Sequence, residues 1–211
     1  MRYGLRTSVA AILLPITVAQ AKAHSRILGR DSEDAEIEEI IKEAASFLET
    51  ETNLTLCPTT YVMTLDRFPS YYGTRLYPYD FVNSAFSLPL NPVIGVSSVS
   101  YTDVEGNAVV LNPSTYQVAS ARWPARVMPN TTNVWPFTNY LRMDSVSVTF
   151  TAGYTSVGLI PPAYKRAVKY LFAHFYENRE ALSATAGEPA KLPYALGAMI
   201  TQMRYMGFAQ S

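Results

Sequence analysis

The sequence is short of the residues on which most enzymes and metalloproteins rely. Its 211 residues include one cysteine, Cys57, and two histidines, His24 and His174. A single thiol excludes an internal disulfide framework and a thiolate zinc site. Two histidines leave no material for a His-rich metal centre. Charge is scarce as well: 16% of the residues are charged, against about 25% in an average soluble domain. The 17 basic side chains cancel the 17 acidic ones. That balance argues against a dedicated nucleic-acid binder, which carries a basic excess, and it removes the repulsion that keeps copies of a small protein apart. No stretch approaches the roughly 20 apolar residues of a membrane span. GxSxG, GxGxxG after a strand, the Walker loop and HExxH are all missing, so no motif calls for a cofactor.

What is present is apolar and aromatic: 48% of the residues are hydrophobic and 15 are tyrosine. The length suits one domain, or one domain with an insertion, with enough chain for a real core. The N-terminus imitates a secretory leader, with Arg2 and Arg6, an apolar run at 9–14 and Ala21-Lys22-Ala23 as a cleavage-like site. Two sequons, Asn53-Leu54-Thr55 and Asn130-Thr131-Thr132, fit the same reading, whose functional form is a secreted β-rich binding protein. The competing reading is a helix start. Pro15 cuts the run to six residues, Thr17 is an N-cap with Gln20 as its capping-box partner, and Ile16 precedes the cap as a staple. Gly29 would stop that short helix.

The clearest helix follows. Asp31 or Ser32 caps it, and Glu33, Asp34 and Glu36 lie where the helix dipole favours negative charge. Ile37, Ile40, Ile41, Ala44, Ala45 and Leu48 trace one buried stripe, and the helix ends near Thr52-Asn53. From 58 to 152 lysine vanishes and the period falls towards two. Strands are expected at 61–66, 93–102, 108–111, 116–119, 125–128 and 146–152, with Asp103 to Asn107 as a turn around Gly106. Pro161-Pro162 starts another helix, with Val168, Leu171, Phe172 and Phe175 inside and Tyr164, Lys165, Arg166 and Lys169 outside. A last helix spans 192–206 on Leu196, Met199, Ile200 and Met203. The expected fold is α+β: a bundle of about four helices with an inserted small antiparallel β module of five or six strands. The divisions are 1–57, 58–152 and 153–211, forming one compact domain with an insertion.

Candidate chemistry is thin. His174 and Glu177 have the i, i+3 spacing of a carboxylate-bridged metal helix, but no partner helix repeats it, and a half-buried histidine in an aromatic stripe is the plainer reading. Cys57 has no histidine placed to activate it. Asp66-Arg67 offers a carboxyl with a guanidinium, an arrangement that is usually structural. An enzyme would have to use Asp66, Arg67 or His174. The tyrosine-rich stretch with Tyr71, Tyr72, Tyr77 and Tyr79 suits a protein contact; the same rings can stack nucleotides, but the chain lacks the basic excess that would accompany that. Asn133-Val134-Trp135-Pro136-Phe137 is a second aromatic loop, or a local mini-core pinning the β module.

The zero net charge hides opposed blocks. Residues 1–30 carry five basic side chains and no acidic one, and residues 31–51 carry nine acidic and one basic. Residues 52–160 hold five of each, and 161–211 hold six basic and three acidic. An acidic helix is usually a solvated face. Opposed blocks on one chain also suit head-to-tail assembly, with Glu36, Glu39 and Glu43 of one copy meeting Lys165, Arg166 and Lys169 of the next.

Several strings occur in an order that resembles one family. They are Pro15-Ile-Thr-Val-Ala-Gln-Ala-Lys-Ala-His24, Asp34-Ala-Glu-Ile-Glu-Glu-Ile-Ile41, Phe47-Leu48-Glu49 and Thr64-Leu-Asp-Arg-Phe-Pro69. They continue with Leu88-Pro-Leu-Asn-Pro92, Val99-Ser-Tyr-Thr-Asp103, Val148-Thr-Phe-Thr-Ala-Gly-Tyr154, Pro161-Pro162 and Ala173-His-Phe-Tyr-Glu-Asn-Arg-Glu-Ala181. Together they resemble the head–tail connector (adaptor) proteins of tailed bacteriophages and prophages over about residues 15–182. Residues 1–14 precede the resemblance, and the tyrosine-rich insert at 70–86 is longer than the family's pattern. The resemblance implies a non-enzymatic virion protein, assembled in the host cytoplasm without cofactor or membrane. It implies a homo-oligomeric ring, typically of twelve subunits, under the portal protein. A downstream neck, stopper or tail protein docks on such a ring, and DNA passes through it with loose, transient contact. The helices build the ring, and the C-terminal segment reaches into the portal, which here makes Arg204, Tyr205, Met206 and Phe208 the portal-binding candidates.

Overall fold

Alternation of apolar and polar residues builds the first of two units, which comprises Met1–Ala11 and Pro58–Gly153. The structure is a computed structural model that describes residues 3–27, 31–69, 84–139, 141–178 and 194–208. Strand β8 (Val146–Ala152) is central to the unit. Its sequence VSVTFTA alternates strictly, with Val146, Val148, Phe150 and Ala152 buried and the residues between them half-buried. Such a strand needs a partner on each edge, and it has two: β2 (Thr59–Leu65) and β4 (Val93–Thr102), both antiparallel. Met63 and Val99 lie opposite Val148 from the two sides, so one inward row crosses three strands. Outside β4 runs β5 (Ala108–Val110), and outside β2 runs β1 (Gly4–Val9), giving the order β1-β2-β8-β4-β5. A second sheet orders β3 (Phe86–Ser87), β7 (Arg126–Pro129) and β6 (Tyr116–Ala119) as β3-β7-β6. Phe86, Tyr116 and Val127 of this sheet share one core with Met63, Val99, Val148 and Phe150.

The described residues therefore hold eight strands in two antiparallel sheets, where alternation predicts five or six in one module. The two additional strands have physical reasons to escape a pattern search. β3 is two residues long. β1 is exposed on both faces throughout, so no buried row marks it as a strand. Its approach to β2 depends on Gly4, opposite Thr64, where an added Cβ would come within 2.6 Å of Thr64 Oγ1.

Helical stripes build the second unit, Ile12–Cys57 with Tyr154–Gln210. Its helices are α1 (Val18–Ser25), α2 (Asp34–Thr52), α3 (Pro162–Glu177) and α4 (Tyr194–Phe208). The capping box of α1 forms as the sequence predicts: Gln20 N–H donates to Thr17 Oγ1 at 3.2 Å, and Thr17 N–H to Gln20 Oε1 at 3.3 Å. The helix stops at Arg26 rather than Gly29, because Arg26 takes the left-handed conformation (φ 54°) and donates its N–H to Lys22 O. Neither Asp31 nor Ser32 caps α2; residues Asp31–Glu33 make a 3-10 turn and Glu33 is the N-cap without a side-chain bond. The stripe of α2 is buried at Ile37, Ile41, Ala44, Ala45 and Leu48, while Ile40 is only half-buried. Tyr164, expected outside, is buried on α3 against Tyr154, with 6.5 Å between ring centroids. The partial burial of Tyr154 pushes its own hydroxyl up to about 12, helped by Tyr164. Ile16 and Ala21 are fully buried, so cleavage after Ala23 would remove core side chains together with β1.

Candidate assembly interface

The stripe of α2 turns Glu36, Glu39 and Glu43 outward, and all three are exposed. Their spacing of three and four residues places them on one face of the helix. On α3, Arg166 is exposed and Lys165 and Lys169 are half-buried, as long cationic side chains are when their stems lie along a helix. The two helices pack against each other, yet no salt bridge among the described residues joins Lys165, Arg166 or Lys169 to the acidic residues of α2. Ion pairs on α2 go elsewhere: Lys42 to Glu38 at 2.8 Å within the helix, Lys22 to Asp34 and Arg204 to Glu51. Glu39, Glu43 and the three α3 cations are left to solvent as opposed charges on one unit.

Other polar contacts lock the helices. Tyr176 Oη donates to Glu33 Oε2 at 2.9 Å, and His24 packs on Tyr170 at 5.5 Å. Arg204, a portal-binding candidate, is tied back within the chain: its Nε–H donates to Glu51 O and its guanidinium pairs with Glu51 Oε2. Nothing in the local sequence around 204 announces that pairing. Tyr205, Met206 and Phe208 belong to the last turns of α4. Tyr71, Tyr72, Tyr77 and Tyr79 lie outside the described residues.

The candidate catalytic side chains make structural contacts within their own units. Cys57 is buried, and burial, then the charge of Glu49, pushes its thiol up to about 11, which keeps it protonated and unreactive at neutral pH. Glu49 itself accepts the Leu56 N–H at 2.6 Å, and burial holds its carboxyl above the usual range. Asp66 Oδ1 accepts the Asp144 N–H at 3.2 Å, a loop-fixing bond. His174 lies on a different unit from Asp66 and shares hydrogen bonds with Asn178 at the end of α3. No group of three or more His, Cys, Asp or Glu side chains suited to a metal occurs among the described residues.

The second aromatic loop combines both readings offered by its sequence. The Trp135 ring stacks on Phe68 at 4.5 Å and 2° and meets Phe86 at 5.6 Å. Its Nε1–H donates to Ser84 O at 2.6 Å. The residues around this pin, Val134 and Phe137, are exposed. Pattern reading locates the aromatic loop but cannot tell which ring turns in and which turns out.

Compared by sequence, the chain matches no protein-family model and no curated protein. Compared by structure, it resembles chains of gene transfer agent (GTA) particles. One is from the neck of an empty GTA particle computed with C6 symmetry, with TM-score 0.72, 22% identity and coverage of 95% of each chain. Another is from the virion of a native GTA particle, with TM-score 0.72, 21% identity, and coverage of 95% of this chain and 94% of that one. A third is from the neck of a native GTA particle computed with C12 symmetry, with TM-score 0.66, 21% identity, and coverage of 97% and 95%. The shared feature is the fold, α-helices with antiparallel sheets, along nearly the whole of each chain.

Proposed function

We propose that this chain is a non-enzymatic structural protein of the neck of a phage-like particle, an adaptor that forms a ring between the portal and the next neck or tail protein. The observation that carries the reading is the likeness in fold, over 95% of both chains, to a chain from a GTA particle neck. The C6 and C12 symmetries of the neighbouring necks support a ring, a dodecamer in the simplest case. Opposed charges left unpaired within one unit support how copies meet: Glu39 and Glu43, with Glu36 on the same face, oppose Lys165, Arg166 and Lys169 of the next copy. A contact between two different faces is head-to-tail, the kind that makes a ring when its rotation closes. Tyr205, Met206 and Phe208 at the end of α4 are the portal anchors in this reading. Arg204 joins them by exchanging Glu51 for a portal carboxylate. The tyrosine-rich segment with Tyr71, Tyr72, Tyr77 and Tyr79 is assigned to the downstream partner. DNA slides through without tight contact, since a neutral chain does not accumulate phosphate contacts.

Electron microscopy of the purified chain mixed with its portal tests the proposal. A ring at the portal vertex is expected, and deletion of residues 204–211 should abolish attachment while far-UV dichroism stays native in shape. Attachment that survives the deletion removes the C-terminal anchor. Glu39→Lys with Glu43→Lys should prevent ring closure in low salt, and normal rings from that variant remove the charged interface.

A further inference from the structure

Residues 3–13 are exposed without exception, and they include the strand β1. Ordering a strand costs conformational entropy, which burial helps to offset in β2 and β8. β1 buries nothing; its main-chain ladder to β2 holds it. That ladder is specific all the same. Leu5 lies opposite Met63 and Arg6 opposite Val62, the register shifts between Thr7 and Val9, and Gly4 faces Thr64. At that last position a Cβ would come within 2.6 Å of Thr64 Oγ1, so the edge of β2 is shaped for a glycine there. Beyond β1 the hold ends. No hydrogen bond among the described residues fixes 10–16, and the division between the two units falls between Ala11 and Ile12. This connector leaves Ile12 95% and Leu13 49% exposed. The chain is buried again only at Pro15 and Ile16.

We propose that β1 is an exchanged strand: in the assembled protein each copy lays Gly4–Val9 along β2 of the next copy, in the register it has on its own β2. The inference rests on the ring proposed above and gives that ring a second contact. The fit identifies the occupant, since Gly4, the register and its shift select this segment over a foreign strand. Exchange keeps every ladder bond, so its cost lies in the connector, which is why swapping an identical element is a low-cost route to assembly. Here the connector has no hydrogen bonds to break. Extended, it reaches roughly 23 Å from Val9 to Ile16. That is about the breadth of a five-stranded sheet at ~4.8 Å per strand, enough to carry β1 to a copy alongside. The direction suits the assembly as well. Each copy gives at β1 and receives at β2, two different surfaces, so the exchange is head-to-tail and passes from copy to copy until a ring closes. In the single chain the same strand folds back on its own β2 and keeps that edge from pairing at random.

Cross-linking the ladder separates the folded-back strand from the exchanged one. A Cβ on Gly4 would lie 4.0 Å from Thr64 Cβ, within the roughly 3.5–4.5 Å that a disulfide spans. Gly4→Cys with Thr64→Cys is oxidised after assembly with the portal and run on denaturing, non-reducing gels. The expected result is a covalent series of two, three and more chains up to the full ring, while dilute, unassembled chain forms the internal link. Either single variant joins at most two chains, which sets the background; Cys57 is buried away from the reaction. Arg6→Cys with Val62→Cys, another opposed pair, repeats the measurement if the glycine variant loses its native dichroism. Rings whose chains are all linked internally overturn the exchange and leave the ring standing. Rings in which both introduced thiols stay free overturn it too, since β1 has then left β2 altogether. If no ring forms, the ring reading fails and concentrated chain is oxidised instead: chains linked in series uphold the exchange, and internal links alone overturn it.

Discussion

The β unit and the helical unit draw their order from different parts of the sequence. In the β unit every strand of the large sheet pairs with one far away in the chain except at the β4–β5 hairpin; β2 meets β8 across some eighty residues, Tyr61 lying opposite Phe150. In the helical unit much of the definition is local, in the Thr17–Gln20 capping box and the buried stripe of α2. Charge divides the same way, since residues 31–51 alone hold nine of the 17 acidic side chains. Long-range apolar pairing and local capping with surface charge are two means of specifying structure, and here one chain uses them side by side.

The largest effects should come from core truncations that strike one unit at a time. Phe150 and Phe172 are both fully buried, the first in the middle of β8 and the second on α3. Phe150→Ala and Phe172→Ala should each cost about 3–5 kcal/mol in the affected unit. Urea titrations followed by far-UV dichroism at 222 nm, which weights the helices, and by tryptophan fluorescence, whose two sources, Trp123 and Trp135, both belong to the β unit, should then come apart. Phe172→Ala should move the dichroism midpoint more, and Phe150→Ala the fluorescence midpoint. If each variant shifts both midpoints equally, the two units unfold as one body and the contrast drawn above is only one of sequence.

Which parts of the molecule could be read in advance follows from the same division. The α2 stripe, the α1 capping box and the six alternating strands were legible because each carries its signal within a dozen residues. β1 was not, for its six residues are exposed on both faces and are ordered by the ladder to β2 rather than by burial. The start of α2 misled because three acidic or polar residues in a row satisfy a capping rule at several positions, and a 3-10 turn used the first of them. At the candidate interface, the acidic and basic faces could be placed from spacing. The Arg204–Glu51 pair, 153 residues apart, could not. Nor could the exposure around Trp135, since an aromatic loop has the same composition whether it packs inward or outward.

A smaller effect probes the local side of the comparison. Thr17→Ala removes the hydroxyl that accepts Gln20 N–H and dissolves the capping box, which should cost about 1 kcal/mol. Because Ile16, just before the cap, and Ala21 within α1 are buried in the helical unit, the loss should appear in the 222 nm transition and leave the tryptophan signal in place. Thr17→Ser, which keeps the oxygen, should restore most of it. A full-sized loss in the serine variant would assign the effect to the threonine methyl rather than the cap.

The smallest effect lies in the β4–β5 turn, where the β unit also relies on local bonds. Asp103 Oδ1 accepts the N–H groups of Asn107 at 2.8 Å and Glu105 at 2.9 Å, and Oδ2 accepts Asn107 Nδ2 at 3.2 Å, while Gly106 takes φ 93°. The Asn107 backbone bond, with the other N–H donors adding to it, holds the Asp103 carboxyl below its usual range. An unfolded aspartate titrates near 3.9. A carboxyl whose folded value lies lower contributes stability that is fully present above that point and is lost as the pH falls through the folded value. Acidification below about pH 4 should therefore free the turn first, seen as faster amide exchange at Asn107 and Glu105 while the β2–β8 ladder keeps its protection. Asp103→Asn retains an acceptor oxygen without the charge, so its turn amides should lose this pH dependence and keep part of their protection at neutral pH. An Asp103 titration at or above 3.9 by NMR would mean that the turn is shaped by Gly106 and chain geometry alone, and that the β unit is specified by its long-range ladder throughout.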